Sequence, residues 1–203
     1  KMNYSSDYKA LSEQFDLSES SNLIDINGHK TFEIISNPFE SRTYNSLTEG
    51  IHDRDIIENI NFNVPVFKPA RAGTYKRALI LLHGLNEKHW DKYLTWALKL
   101  MEETGAPVIL FPIAFHMNRA PEIWASPRDM MKVAKERKNN AGRASQSSFV
   151  NAALSQRIQT APQRFFSSGM QSFYDITQFI EGVKTGKHPF LDKNCRFDIF
   201  GYS

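Results

Sequence analysis

The last residues of the chain carry the sharpest signal for catalysis. An apolar segment, Phe197–Phe200, runs directly into Gly-Tyr-Ser at residues 201–203. A serine on a tight turn after a strand can serve as a nucleophile, provided that the residues two before and two after it are small. Gly201 meets the first condition. The second condition, a small residue two positions after the serine, falls on residue 205, which is not in this sequence. Gly-x-Ser after a strand is also common as an ordinary turn, so the motif needs a partner.

A second motif, His-Gly-Leu-Asn at residues 83–86, follows the apolar run Ala78–Leu82. Glycine in this place lets a backbone N–H turn towards the negative charge that develops on a carbonyl oxygen during acyl transfer. Ligands of open α/β sheets bind at the carboxyl ends of strands, and both motifs follow apolar strands. The two motifs, each weak alone, together predict one site.

Three apolar segments and the helices between them would have to position this site. The runs Ala78–Leu82 and Val108–Phe111 are continuous, as expected of strands buried on both faces. Between them, residues 90–101 have apolar side chains at helical spacing, and Gly105 follows where a helix would end. With a third strand at Arg196–Phe200, this alternation predicts the α/β class with a mostly parallel sheet.

Segments nearer the N-terminus predict the opening elements of the same sheet. Residues 1–25 indicate a short amphipathic helix lying on the body of the protein. Strands are predicted at Thr31–Ile35 and Asn61–Phe67, which we expect to be antiparallel. Pro65 favours an edge position for the second strand, because proline has no N–H for a neighbouring strand.

The segment between the second and third apolar strands is far longer than the ~30 residues of a simple crossover unit. Its patterns predict helices at about Pro127–Lys138, around residues 150–158 and around residues 173–183. We expect residues 113–165 to be a mainly helical insertion that covers the carboxyl ends of the strands as a cap or lid. Its candidates for substrate contact, all of types more often found in packing or facing solvent, are His116, Asn118, Arg119 and Trp124.

Residues 77–84 (Arg-Ala-Leu-Ile-Leu-Leu-His-Gly) and 197–203 (Phe-Asp-Ile-Phe-Gly-Tyr-Ser) resemble the α/β-hydrolase superfamily, the fold of esterases, lipases and many peptidases. The resemblance covers roughly residues 60–203 and does not specify a subfamily. It implies that Ser203 is the nucleophile and that Leu85 supplies the first oxyanion N–H, with Asn86 as the other candidate. The residue after Ser203 would supply the second N–H. Further residues expected at the substrate site are His83, Gly84 and Tyr202.

The resemblance implies a serine hydrolase that cleaves a small-molecule carboxylic ester, or less readily an amide or thioester, through an acyl-enzyme. No metal or organic cofactor is implied. The whole chain, residues 1–203, would be one α/β-hydrolase-like domain, incomplete at its C-terminus. The alternative is a non-catalytic binding or interaction module with the same fold, because fold does not fix function.

In this superfamily the acid and the histidine of the triad follow the serine in the chain. Both are therefore expected beyond residue 203. The ring of His83 is expected to support the oxyanion loop rather than take a proton. The general base is accordingly sought outside the histidines of this sequence, which are His29, His52, His83, His89, His116 and His188.

Other charged segments give weaker signals. Residues 52–55 (His-Asp-Arg-Asp) have the residue types of metal ligands but no partner cluster, so a surface turn is the better interpretation. No glycine-rich phosphate loop appears, which removes support for a nucleotide cofactor. A basic run could favour an anionic substrate or nucleic acid. Helical spacing, however, spreads its charges around the helix, so a solvated face is the better interpretation. The run consists of Arg128, Lys132, Lys135, Arg137, Lys138 and Arg143.

The composition excludes several classes of protein. The 203 residues are 41% hydrophobic, with a formal net charge of +3, which is too small for a dedicated nucleic-acid binder. No apolar stretch is long enough to span a membrane. The lone Cys195 excludes an intramolecular disulfide and favours the cytoplasm, although a signal peptide removed earlier stays possible. We expect the protein neither to bind nucleic acid nor to insert into a membrane. The sequence does not indicate an oligomeric state.

Overall fold

The protein is described here from a computed structural model that covers residues 4–26, 28–42, 56–71, 73–85, 87–124, 126–140 and 162–202. Its strands are β1 (Ser21–Ile24), β2 (Phe32–Glu40), β3 (Asn61–Pro69), β4 (Tyr75–Leu82), β5 (Val108–Phe111) and β6 (Leu191–Gly201). Its helices are α1 (Tyr4–Gln14), α2 (Ile57–Ile60), α3 (Asp91–Thr104), α4 (Pro127–Asn140) and α5 (Gln163–Lys184), with 3₁₀ turns at Met117–Arg119 and Glu122–Trp124.

The strands form one six-stranded sheet in the order β1-β2-β3-β5-β4-β6. β4 lies between β5 and β6 and is parallel to both, which confirms that the three apolar segments are neighbouring parallel strands. The other pairings are antiparallel, so the sheet is mixed, and the prediction of a mostly parallel sheet was wrong. Parallel pairing needs a long crossover, and the described crossover helices lie between β4, β5 and β6.

The crossover helices pack on opposite faces of the sheet. α3 packs against the face that includes Leu79 and Leu81, and α5 against the face that includes Ala78 and Ile80. The alternation follows from the period of two in a strand, and it explains why β4 is apolar throughout. α3 ends as predicted at Gly105, whose φ of 62° is left-handed and whose N–H donates to the Met101 carbonyl.

The connections leave β4 and β5 in different directions. α3 leads from β4 inward to β5, whereas α5 leads from β5 back across β4 to β6 at the edge of the sheet. Adjacent strands whose connections diverge to opposite faces leave a crevice beyond their carboxyl ends, which is where ligands bind in open α/β sheets. The topology therefore predicts a crevice between β4 and β5, where the second sequence motif begins.

β3 is an internal strand, because it pairs with β2 along its length and with β5 at Val66 and Phe67. The edge position predicted from Pro65 was therefore wrong. The ladder with β5 starts at Val66, one residue after Pro65, so this proline lies outside that ladder. A proline at this position is tolerated because β5 does not yet pair with β3 there, so no hydrogen bond to β5 is lost.

The described part of the insertion contains the two 3₁₀ turns and α4, which starts at Pro127 as predicted. The helix predicted around residues 150–158 lies outside the described residues. α5 begins well before its predicted apolar stretch and runs for 22 residues. Within the described ranges, no helix combines the length and apolar character that a membrane crossing requires.

Candidate functional site

The loops that follow β4 and β5 meet through the ring of His83. This side chain is 2% exposed. Its Nε2 accepts a hydrogen bond from the Ile113 N–H at 2.9 Å, and its Nδ1 lies 2.9 Å from the Gly84 carbonyl oxygen. Because Nε2 is an acceptor, the ring proton is on Nδ1 and is donated to Gly84. The ring thus connects the loop after β4 to the loop after β5.

Electrostatics keep this ring neutral. The pKa of His83 is lowered to about 3, mainly by burial and also by the positive charges of His116, Arg119 and Lys92, against the raising effect of the Gly84 carbonyl. A neutral ring with both nitrogens hydrogen-bonded has no position from which to accept a proton at pH 7. The chemistry available to His83 is therefore support of the loop.

Gly84 occupies a crowded position where three parts of the site converge. Its N–H donates to the Tyr93 hydroxyl at 2.8 Å. A Cβ at this position would lie 3.4 Å from the Tyr202 carbonyl oxygen and 3.6 Å from both Glu87 Oε1 and the Tyr93 hydroxyl. These are ordinary van der Waals distances, and they show that the loop after β4 lies directly beside the end of β6.

The end of β6 thus lies beside the loop after β4. Tyr202 donates its N–H to the Leu82 carbonyl at 3.3 Å, which carries the pairing of β4 and β6 one residue beyond the strands. Leu85, at a turn, has a side chain that is 55% exposed. Of the residues predicted for the site, His83, Gly84, Leu85 and Tyr202 are thus described, whereas Asn86 and Ser203 lie outside the described residues.

Sequence reasoning missed a group of residues on α3 and just before it. Glu87 and Lys92 form an ion pair, and Lys92 Nζ lies 4.9 Å from the ring centroids of both Tyr93 and Tyr202. The Glu87 carboxylate raises the pKa of Lys92 by accepting its hydrogen bond. Trp96 packs edge-on against Tyr202 at 5.1 Å. The signal for Tyr93 was hidden, because it lies in the apolar stripe of the helix and looks like a core residue.

The loop after β5 has an unusual backbone. Phe115 and Met117 have φ values of 65° and 49°, in the left-handed region that costs energy for residues with a Cβ. Between them, His116 is 9% exposed, and its Nδ1 lies 2.9 Å from the Ala114 carbonyl oxygen. The two ring centroids of His83 and His116 are 5.4 Å apart. His116 is therefore buried next to His83, and its contact with a substrate stays a prediction.

Buried polar side chains hold that loop in place. The Phe115 N–H donates to Asn59 Oδ1 at 3.0 Å, and the Ala114 N–H donates to Ser172 Oγ at 2.9 Å. Ser168 Oγ donates to the Ala114 carbonyl at 2.8 Å. Strained backbone persists where several bonds determine it at once, and here α2 and α5 supply them from both sides.

Arg119 ends the loop as a fully buried cation. Its Nη2 lies 2.7 Å from Asp175 Oδ2, and its other N–H groups bond to Asn59 Oδ1, the Asn59 carbonyl and the Pro112 carbonyl. Burial lowers the pKa of Arg119 to about 10 while the Asp175 charge raises it, so the guanidinium stays charged at pH 7. The hypothesis that Arg119 contacts a substrate was wrong, because no part of its side chain is exposed.

Two other candidates from the insertion are also used inside the protein. Asn118 accepts from Trp90 Nε1 at 3.3 Å and donates to the Asn63 carbonyl at 2.8 Å. The ring of Trp124 lies under the Arg164 guanidinium, 5.2 Å away. Among the four insertion candidates, His116 is the one that the structure brings next to His83.

A comparison with protein families adds one finding to this geometry. A family model described as a family of unknown function, DUF6051, matches residues 4–203. The chain belongs to the DUF6051 family. A comparison with curated proteins found no match.

The weaker charged segments add no site to this DUF6051 chain. In the basic run, Arg128, Lys132 and Lys135 are described, and Arg128 and Lys132 are exposed on α4. Arg143 and the predicted metal-ligand types at residues 52–55 lie outside the described residues. Within the described part of the chain, no group of three His, Cys, Asp or Glu side chains is arranged to hold a metal ion.

Proposed function

We propose that this DUF6051 protein is a serine hydrolase of the α/β-hydrolase type that cleaves a small-molecule ester, or less readily an amide or thioester. One observation carries the proposal. The end of β6 and the loop after β4 lie side by side, with Gly84 packed against the Tyr202 carbonyl. Ser203, the proposed nucleophile, follows Tyr202 in the sequence, and Leu85, the proposed oxyanion donor, follows Gly84.

In the proposed reaction, Ser203 Oγ attacks the carbonyl carbon of the substrate and forms a tetrahedral intermediate. The N–H of Leu85, or of Asn86, holds the oxyanion together with the N–H of the residue after Ser203. A histidine that follows the serine in the chain takes the hydroxyl proton and gives it to the leaving alcohol, which departs as the C–O bond breaks. Water, deprotonated by the same histidine, then hydrolyses the acyl-enzyme.

The position of the crevice and the state of His83 support this assignment of roles. The loop after β4 lies where β4 and β5, two adjacent parallel strands, have connections on opposite faces of the sheet, which is the usual ligand position of open α/β sheets. The pKa of about 3 and the two hydrogen bonds of His83 are consistent with a base that lies elsewhere in the chain. The proposal needs no metal ion or organic cofactor.

We further propose that residues 113–165 form a cap that selects the substrate, with His116 as a contact. The hydrogen bonds from Ile113 to His83 and from Met117 to Glu87 support this role, because they attach the start of the insertion to the crevice. The lone Cys195 favours a reducing compartment, so we place the reaction in the cytoplasm.

A binding or interaction module with the same fold is the second candidate. Large exposed apolar side chains favour it, because such groups often mark interaction surfaces. Phe165, Phe166 and Phe173 on α5 are between 62% and 70% exposed. A binding module would keep this surface and would not need a reactive serine.

Labelling with a fluorophosphonate probe tests the proposal on the protein that includes its natural sequence after Ser203. We expect the probe on Ser203, and we expect Ser203→Ala to lose labelling and to lower p-nitrophenyl acetate hydrolysis by ~10³-fold or more. Ser20→Ala, at an exposed serine far from the crevice, is the matched control and should keep both. An unchanged esterase rate in Ser203→Ala would remove the hydrolase proposal and favour the binding module.

A further inference from the structure

The peptide groups on both sides of Gly84 are each held by one side chain. The Tyr93 hydroxyl accepts the Gly84 N–H at 2.8 Å, and His83 Nδ1 donates to the Gly84 carbonyl at 2.9 Å. Both side chains are buried, with exposures of 0% for Tyr93 and 2% for His83. A glycine has more backbone freedom than any other residue, so these two bonds set its conformation.

The direction of the Leu85 N–H follows from the same two bonds. The Gly84 carbonyl and the Leu85 N–H belong to one planar trans peptide, so they point in opposite directions. Rotation about the Gly84 dihedrals would turn that peptide, and the bond to Tyr93 restrains the preceding peptide against such a rotation. The Tyr93 hydroxyl therefore helps to aim the Leu85 N–H although it does not contact that group.

The Tyr93 hydroxyl is itself positioned by charged neighbours. Because it accepts from Gly84, its own proton is directed to Glu87 Oε1, 3.4 Å away. The same carboxylate oxygen pairs with Lys92, whose ammonium lies 4.9 Å from the Tyr202 ring centroid. This chain of contacts connects the loop after β4 to the end of β6, across the place where the reaction is proposed to occur.

We propose that Tyr93 is a positioning residue that aims the oxyanion N–H of Leu85, and that Glu87 and Lys92 hold its hydroxyl in place. The inference rests on the proposed function for its catalytic consequence. Transition-state stabilisation by a backbone N–H depends on its being preset, and small misplacements of such donors cost large factors in rate. The hydroxyl of Tyr93 then acts on the transition state more than on substrate binding.

Tyr93→Phe in the protein that includes the sequence after Ser203 tests the inference. We expect kcat for p-nitrophenyl acetate to fall by about 10- to 100-fold with KM nearly unchanged, because a misaimed donor loses transition-state stabilisation. Tyr8→Phe, at a partly exposed tyrosine on α1, is the matched control and should keep wild-type kcat and KM. If Tyr93→Phe does not fold, Glu87→Leu removes the hydroxyl's acceptor and should lower kcat in the same direction.

Hydrogen exchange provides a readout that does not require turnover. The Gly84 amide should exchange faster in Tyr93→Phe, because its N–H then has no acceptor. A wild-type kcat in Tyr93→Phe, while Ser203→Ala abolishes turnover, would overturn the positioning role and leave the proposed function intact. Unchanged exchange of the Gly84 amide would overturn it as well. Full turnover in Ser203→Ala would instead remove the proposed function, and the role of Tyr93 in catalysis with it.

Discussion

At the residue scale, His83 shows how a histidine next to a proposed site can have a purely structural role. Its two nitrogens serve the Ile113 N–H and the Gly84 carbonyl, so each has a fixed role as acceptor or donor. Protonation of Nε2 would replace an acceptor with a donor that faces another N–H. Burial and that conflict act in the same direction, and both favour the neutral ring.

We therefore predict that His83 stays neutral, with its proton on Nδ1, from pH 5 to pH 9. The reason is the lowered pKa of about 3. Side-chain ¹⁵N chemical shifts distinguish the two neutral tautomers and the cation, and should show no transition for this ring in that range. A transition of His83 between pH 6 and pH 7 would contradict the prediction and would reopen its role as a base.

The same residues show what sequence could establish about the site. Gly84 and Tyr202 were predicted to be neighbours because both follow apolar strands, and strand ends are local features of the sequence. Tyr93 and Asn59 were not found, because their bonds to the Gly84 and Phe115 amides join segments whose proximity depends on the completed fold. A buried tyrosine in an apolar helix stripe gives no sign of the group to which its hydroxyl is bonded.

At the element scale, α5 carries a buried polar stripe as well as an apolar one. Ser168, Gln171, Ser172 and Asp175 recur at three- and four-residue spacing and are all buried. Buried polar side chains are normally hydrogen-bonded, because a buried polar group without a partner destabilises the fold. Here the partners lie in the loop after β5, in α2 and at Ser41. The sequence contained this signal at the correct period, and it could have identified the face of α5 that holds the loop.

We predict that Asp175→Asn destabilises the protein by about 3–5 kcal/mol, the usual cost of leaving a buried charge without its partner. Asparagine keeps the shape, but the guanidinium of Arg119 loses its counter-charge at a position with no exposure. Urea unfolding followed by circular dichroism measures the change. Glu103→Gln, which removes an exposed ion pair with Lys99, is the control and should have little effect. A similarly small change in Asp175→Asn would mean that this pair does not hold the loop.

The wrong prediction of a mostly parallel sheet is also explained at the element scale. Apolar runs separated by helical segments predicted parallel neighbours correctly for β4, β5 and β6. The strands before them lack helical crossovers among the described residues and pair antiparallel, as hairpin-like connections allow. The local pattern around β4, β5 and β6 therefore did not determine the directions of the strands before them.

At the scale of the whole molecule, a buried histidine side chain joins the N-terminal helix to the sheet domain, in addition to the apolar packing of Leu11. His29 Nε2 lies 3.2 Å from Asp7 Oδ1 on α1, and its Nδ1 lies 2.9 Å from Glu102 Oε1 on α3. The side chains of His29 and Asp7 are 6% and 5% exposed. The sequence predicted a helix lying on the body of the protein, but the three segments that His29 joins are distant in the chain, so no local pattern indicated this contact.

The protonated form of His29 should therefore contribute to the stability of the whole molecule. Burial lowers the pKa of His29, but the hydrogen bonds and charges of Glu102 and Asp7 together raise it above its ordinary value of 6.5. A pKa raised on folding stabilises the native state fully below the unfolded value of about 6.5. That contribution is lost as the pH rises through the higher pKa of the folded protein.

We predict that His29→Gln lowers the free energy of unfolding more at pH 6 than at pH 9. At pH 6, below the unfolded pKa, the wild-type ring carries its proton between two carboxylates, and glutamine cannot supply that charge. As the pH rises through the raised pKa of the folded protein, the wild-type ring loses that charge too, so the difference between the two proteins should shrink. Urea unfolding of both proteins across this range measures the difference. The contribution of His83 to the free energy of unfolding is the same in both proteins, so it does not affect that difference. His89→Gln, at an exposed histidine, is the control and should give a small difference. A difference for His29→Gln that grows with pH would contradict the prediction, because it would mean that the neutral ring, and not the cation, holds α1 against α3.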